Sequence, residues 1–187
     1  MLIAVLPAPL RRLLDDRRGT ILVEIALVLP MMLFMMLATV DIGRALLLTQ
    51  KLNRSAVTLA DLIAREETVD TARMTELFTG AGHVMSPFAF NDDGVLIVSI
   101  IRGNGDGTAD VEWQQRGAGT GSALSRIGTT GDEIALPAGL VLDDGESLVV
   151  SEAAYTHEYI FLPELGSPVT MYYVAFARPR RGDVTAV

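Results

Sequence analysis

Residues 21–40 constrain this chain more than any other stretch, because Glu24 is their only ionisable group and the rest are almost all aliphatic, Met or Phe. About 20 such residues, wound at ~1.5 Å each into a helix, match the ~30 Å hydrocarbon core of a bilayer. The sequence therefore predicts one membrane-spanning helix over residues 20–40. Arg11, Arg12, Arg17 and Arg18 precede it, and acids outnumber bases in the remainder of the chain. Positive charge beside a span holds that end in the cytoplasm, so the amino terminus is expected inside and the carboxy terminus outside.

Glu24 admits two readings. A carboxylate near the end of a span can snorkel into the headgroups, at less than the ~2.5–3.5 kcal/mol quoted for a charge at the bilayer centre. Alternatively it answers a cation inside an assembly, such as the freed amino terminus of a neighbouring chain. Gly19, a few residues upstream, makes the second reading testable, because a residue without a β-carbon lets a peptidase approach the backbone closely.

Gly19 followed by Thr20, Ile21, Leu22, Val23 and Glu24 and a long apolar run resembles the processing site of type IV prepilins. With Leu29 and Pro30 inside the span and Asp41, Ile42, Gly43 and Arg44 after it, the pattern is more similar to the TadE-like minor pseudopilins of the tight-adherence (Flp pilus) system. That likeness covers residues 17–64, with a weaker echo in the carboxy-terminal strands. It implies cleavage between Gly19 and Thr20 by a prepilin peptidase, with Glu24 as the acid that guides processing or docking. It further implies other pilins and pseudopilins and the Tad assembly machinery as partners, and roles in pilus biogenesis and adhesion. The implied location is the bacterial inner membrane, with the outer domain in the periplasm and access to the pilus. Such a protein is an enzyme's substrate and not an enzyme, and it takes no cofactor. The reading from another class is an unprocessed single-pass envelope protein whose outer domain binds a partner or ligand.

The 187 residues suffice for a leader at 1–19, the span, and one modest domain. A formal charge of −8, with no Lys/Arg stripe after the span, argues against nucleic acid. The leader carries +2 and the remainder −10, so removing the leader leaves a more acidic product. Residues 1–10 are apolar, but they are short and interrupted by Pro7 and Pro9, and no small-residue cleavage pattern comes after them. A start codon placed too far upstream would also explain them. The sequence has no cysteine, which removes disulfides, thiolate metal sites and Cys nucleophiles together. Pro30 predicts a bend or soft point in the span, and Met31, Met32, Met35 and Met36 an adaptable apolar surface.

Past Asp41 the helix continues but turns amphipathic. Ile42, Leu46, Thr49, Leu52, Ala56, Leu59 and Ile63 recur at helical spacing, predicting one rod from about Thr20 to Arg65 whose outer half, 41–66, needs a cover. The small residues Ala56, Ala60 and Ala64 suit close packing by the same chain. Asp70 is placed to cap a short helix with Met74, Leu77, Phe78 and Ala81 on its apolar side. Strands are expected at 95–101, 109–115, 148–161 and 169–178, joined by hairpins at 102–107 and 163–168. The Gly/Ser/Thr-rich connection 117–145, with one short extended piece at 133–136, is the expected mobile or variable surface. The fold class is thus α+β: a long amino-terminal transmembrane and amphipathic helix packed on a four-stranded antiparallel sheet, with residues 67–187 as the exported domain.

The remaining motifs supply no catalytic or metal-binding constellation. Asn104, Asp106, Thr108, Asp110 and Glu112 have calcium-loop spacing, but strands flank them where an EF-hand needs helices. A solvated hairpin is the favoured reading and calcium the lesser one. Gly103, Gly105 and Gly107 lead into a strand, so no helix amino terminus can receive a phosphate. His157 beside Glu152 and Tyr155 has no matching nucleophile and reads as an exposed strand histidine. His83 reads as a cap or surface residue, and the Arg181, Gly182, Asp183 tripeptide as chance in a charged tail.

Overall fold

A computed structural model describes residues 18–161 and 167–186. Most of the expected leader, residues 1–17, and part of the expected last hairpin turn, residues 162–166, lie outside the described residues. Helix α1, Arg18–Ile63, is one element that continues through Pro30. Helix α2, Thr71–His83, begins where expected: the Asp70 carboxylate accepts a hydrogen bond from the Arg73 backbone N–H at 2.7 Å. That satisfies one of the amides left over at a helix start. Met74, Leu77, Phe78 and Ala81 form its buried side.

The strands are β1 (Thr68–Val69), β2 (Gly94–Gly103), β3 (Thr108–Gly117), β4 (Glu133–Ala135), β5 (Ser147–His157), β6 (Val169–Ala177) and β7 (Thr185–Ala186). Five of them form an antiparallel sheet in the order β4-β3-β2-β5-β6, and β1 pairs separately with β7 in parallel. The sheet therefore has five strands where the sequence pattern suggests four. The addition is the short extended piece, whose Ile134 pairs with Ala109 at the sheet edge. Three residues hold too little alternation to signal a strand. Its place is fixed from outside, by Val111 N–H to Asp132 O at 2.9 Å and Leu136 N–H to Gly107 O at 3.1 Å.

Both sheet faces are covered, which explains why β2 is an almost unbroken apolar run rather than an alternating one. Leu96, Val98 and Ile100, with Val149, Ala153 and Ala175, pack against Leu48, Leu52, Ala56, Leu59 and Ile63 of α1 and the buried side of α2. The opposite face carries Ile101, Val111, Leu148 and Val150 under Leu142, Ile127 and Ile134. Beside them, Val95, Ile97 and Ala154 pack with Ala123. The Gly/Ser/Thr-rich connection, expected as mobile or variable surface, is largely exposed but lays buried Leu142 and half-buried Ala123 and Ile127 over this face. Its glycines permit that closeness. A Cβ on Gly121 would meet the Gly94 backbone at 2.8 Å, and the Gly121 N–H instead donates to Gly94 O at 3.0 Å.

The buried stripe of α1 also differs in phase from the expected one. Ile42 and Leu46 are exposed, while Asp41, Leu48 and Ser55 are buried beside Leu52, Ala56, Leu59 and Ile63. Spaced by three or four residues, positions 41, 45, 48, 52, 55, 56, 59 and 63 make one continuous face, and Ile42 and Leu46 belong to its back. At the far end of α1 the carboxy-terminal segment returns to the helix. Arg180 N–H donates to Ala64 O at 2.8 Å, the Arg180 side chain pairs with Asp61, and Thr185 N–H donates to Glu67 O at 3.1 Å. Val184 is buried between them.

Candidate functional site

Gly19, Thr20 and Glu24 lie in the first turns of α1 and are exposed. A Cβ built on Gly19 meets nothing within 4 Å, so its backbone is open to approach. Residues 21–36 of α1 are exposed all round and none of the domain's elements covers them. The helix from Gly19 to Ile63 contains a window of mean hydropathy 2.5, none of it buried, long and apolar enough to cross a membrane. Glu24 stands at one end of a shallow apolar groove formed with Ile25, Val28, Leu29 and Met32. Among the described residues none hydrogen-bonds or ion-pairs with its carboxylate. No described residue of the domain answers this acid, which leaves it open to lipid headgroups, water or another chain.

The join between this exposed half and the domain is Asp41, which the sequence offers only as part of the family pattern. Its side chain is buried, with Oδ1 accepting from Ile160 N–H at 3.3 Å and Oδ2 from Phe161 N–H at 3.1 Å. These bonds account for a second difference. Strand β5, expected to run to 161, ends at His157 because the amides beyond it turn toward Asp41. One turn on, the Arg44 guanidinium lies 5.5 Å from the centre of the Phe88 ring, tying the connection after α2 to the same level of the helix. Nearby, burial pushes the Tyr155 hydroxyl above its ordinary range, and Asp93 adds to the shift.

On the sheet face away from α1, Glu152 is only 1% exposed yet fully engaged. Oε2 accepts from Ser125 Oγ at 2.5 Å, and Oε1 accepts from Arg126 N–H at 2.8 Å and from the Tyr172 hydroxyl. The Arg126 guanidinium stacks 4.2 Å over the Tyr172 ring. Burial, then the bond to Glu152, pushes the Tyr172 phenol well above the usual tyrosine range. This cluster fastens the 118–132 connection to β5 and β6. Three donors on its two oxygens give Glu152 a structural task here.

His157, expected to be exposed, is 4% exposed. It ends a central strand paired on the other side with Val169 and packs edge-on against Tyr159 at 5.5 Å. Odd and even positions of a strand face opposite ways, so Glu152 and His157 cannot act together. His83 is exposed in the last turn of α2, as expected. In the 104–107 turn Asp106 accepts from Thr108 N–H at 3.0 Å and Thr108 Oγ1 at 2.7 Å, and these bonds hold its carboxyl below the ordinary range. Asp183, in the tail tripeptide, accepts from Ser147 Oγ at 2.9 Å. Among the described residues no group of three His, Asp or Glu side chains is placed to hold a metal ion.

A long amino-terminal helix, bare and apolar in its first half and covered by an antiparallel sheet in its second, is a pilin-like α+β arrangement. Its amino-terminal region is a TadE-like domain: residues 19–60 match the family model described as TadE-like protein. The match begins at Gly19, includes Glu24 and Asp41, and stops short of the sheet. No curated relative and no solved structure matches the chain.

Proposed function

We propose that this protein is a minor pseudopilin of a Tad/Flp-type pilus system, anchored in the bacterial inner membrane by residues 20–40. In this reading residues 1–19 are a cytoplasmic leader and a prepilin peptidase cuts between Gly19 and Thr20. Residues 41–66 carry the helix out of the bilayer, and residues 67–187 form a periplasmic domain. The protein's role is structural: it is a substrate of the peptidase and a partner of other pilins and of the assembly machinery in pilus biogenesis and adhesion. The observation that carries the reading is the first half of α1, exposed on every side, with an accessible Gly19 and an exposed Glu24 five positions on. A TadE-like match over the same residues supports it.

The two residues have separable tasks. A bulky side chain at Gly19 blocks the backbone approach that cleavage requires. Replacing Glu24 by Ala removes a charge from the span, which eases insertion, but takes away the partner for a freed amino terminus in an assembly. Gly19→Phe should therefore keep residues 1–19, while Glu24→Ala inserts normally and reduces piliation. Mass spectrometry of the membrane-extracted chains and a count of pili on the cells check both. If wild type and both variants all retain the leader and pili are equally abundant, the protein is an unprocessed anchored one.

A further inference from the structure

We infer that the end of the β5–β6 connection at Tyr159, Ile160 and Phe161 is a second membrane contact, seated at the headgroup–acyl boundary beside α1. This rests on the anchored reading above and adds to it a lipid-facing site on the domain itself. The level of the connection is fixed by three contacts along α1. Far from the span, Arg180 N–H bonds Ala64 O at 2.8 Å; midway, Thr49 Oγ1 lies 3.4 Å from Met171 Sδ. Nearest the span, the Asp41 carboxylate holds the amides of Ile160 and Phe161. The sheet thus descends α1 toward the membrane, and its lowest tether is the first residue beyond Val40.

Bound by their backbones to that residue, Ile160 and Phe161 leave their side chains 53% and 46% exposed. Val40 and Ile42, on either side of Asp41, are 42% and 58% exposed, so apolar side chains stand open on the helix at the level of the tether. Tyr159, half-buried against His157, brings an aromatic body with a polar end, the side-chain type enriched where membrane meets water. Glu158 is exposed and keeps the tip from going deeper than the headgroups. Burying the two amides on a carboxylate also suits this place. Away from bulk water an unpaired backbone donor is costly, and Asp41 satisfies two.

The absence of cysteine allows single-cysteine labelling of the full chain. Ile160→Cys and, as an independent copy, Phe161→Cys would carry a polarity-sensitive nitrobenzoxadiazole. The references are Leu33→Cys within the span and Leu124→Cys, 75% exposed on the covering connection. Proteins are reconstituted at low density in phosphatidylethanolamine and phosphatidylglycerol vesicles, with nitroxide on the upper acyl chain or iodide in the water. The expected result at 160 or 161 is a blue-shifted emission, several-fold stronger nitroxide quenching than at 124, and several-fold weaker iodide quenching. Quenching at 33 with 160 and 161 behaving like 124 overturns the second contact and leaves the anchor standing. Shielding from iodide that appears only as protein density rises, without nitroxide quenching, overturns it in favour of a contact between copies. If position 33 is not quenched either, the anchored reading fails and this inference with it.

Discussion

The two halves of α1 share one backbone but not one composition, and they solve the burial of apolar surface in opposite ways. Residues 21–36 are apolar around the whole circumference and exposed on every side, whereas residues 48–63 bury one face under a sheet and show polar groups on the other. A helix apolar all round needs an apolar solvent, and one with a stripe needs a partner surface. The change falls at Asp41, whose carboxylate becomes a backbone tether for the domain. What the difference teaches is that the polar residues of the second half, gathered on one side, are what turn an all-round apolar rod into a helix with a face to bury.

The largest expected effect tests that contrast directly. Leu59 has no exposed surface, so Leu59→Ala should destabilise the domain by about 2–5 kcal/mol, the usual range for a buried leucine. Leu29→Ala, on the bare half, should change the same unfolding free energy by no more than about 0.5 kcal/mol. Equal losses in denaturant titrations of detergent-solubilised protein would erase the distinction between the halves.

A somewhat smaller effect is expected where a connection takes the place of a helix as cover. Tyr172→Phe removes a bond to the buried Glu152 carboxylate and should cost roughly 1.5–3 kcal/mol. It should also alter the alkaline limb. The Tyr172 phenol is raised in the folded state, so its contribution is complete below the unfolded tyrosine value of about 10 and is lost as pH climbs above it. Stability measured from about pH 8 to 12 should fall less steeply in the variant than in wild type.

Asp70→Ala removes the cap of α2 and should cost about 1 kcal/mol, read as a shift in thermal midpoint. The smallest effect concerns the turn before β4. Asp132 accepts from Thr129 N–H at 2.7 Å and Thr129 Oγ1 at 2.8 Å, and these bonds depress its carboxyl. A depressed carboxylate stabilises above its unfolded value and ceases to do so as pH falls below about 4. Asp132→Ala should therefore narrow the gap between acid and neutral stability slightly, leaving the neutral side as the only one measurably lowered.

Much of this arrangement is legible in the order of residues, for reasons that are local. The long apolar helix, the Asp70 cap with Met74, Leu77, Phe78 and Ala81 behind it, and four of the strands each announce themselves by a period or a terminal residue. The burial of Glu152 and His157 is not legible. It depends on residues 125, 126 and 172 in one case and on the strand pairing of Val169 in the other. The same is true of Asp41, whose two donors lie more than a hundred positions away in the chain. Gly19 and Glu24 are visible as a pattern, yet no other described residue comes near enough to assign them a task.

The return of the carboxy-terminal segment to α1 has a mechanical side. A pull applied at residue 41 along the helix axis loads the face of α1 in shear against β5 and β6. The bonds at Asp41, Thr49, Asp61, Ala64 and Glu67 lie in parallel along that line and share the load. To draw the helix out, they must give way together rather than peel one after another. Resistance of this kind is governed by the unfolding rate rather than by equilibrium stability. How long the helix stays in place under such a pull is thus set by a rate.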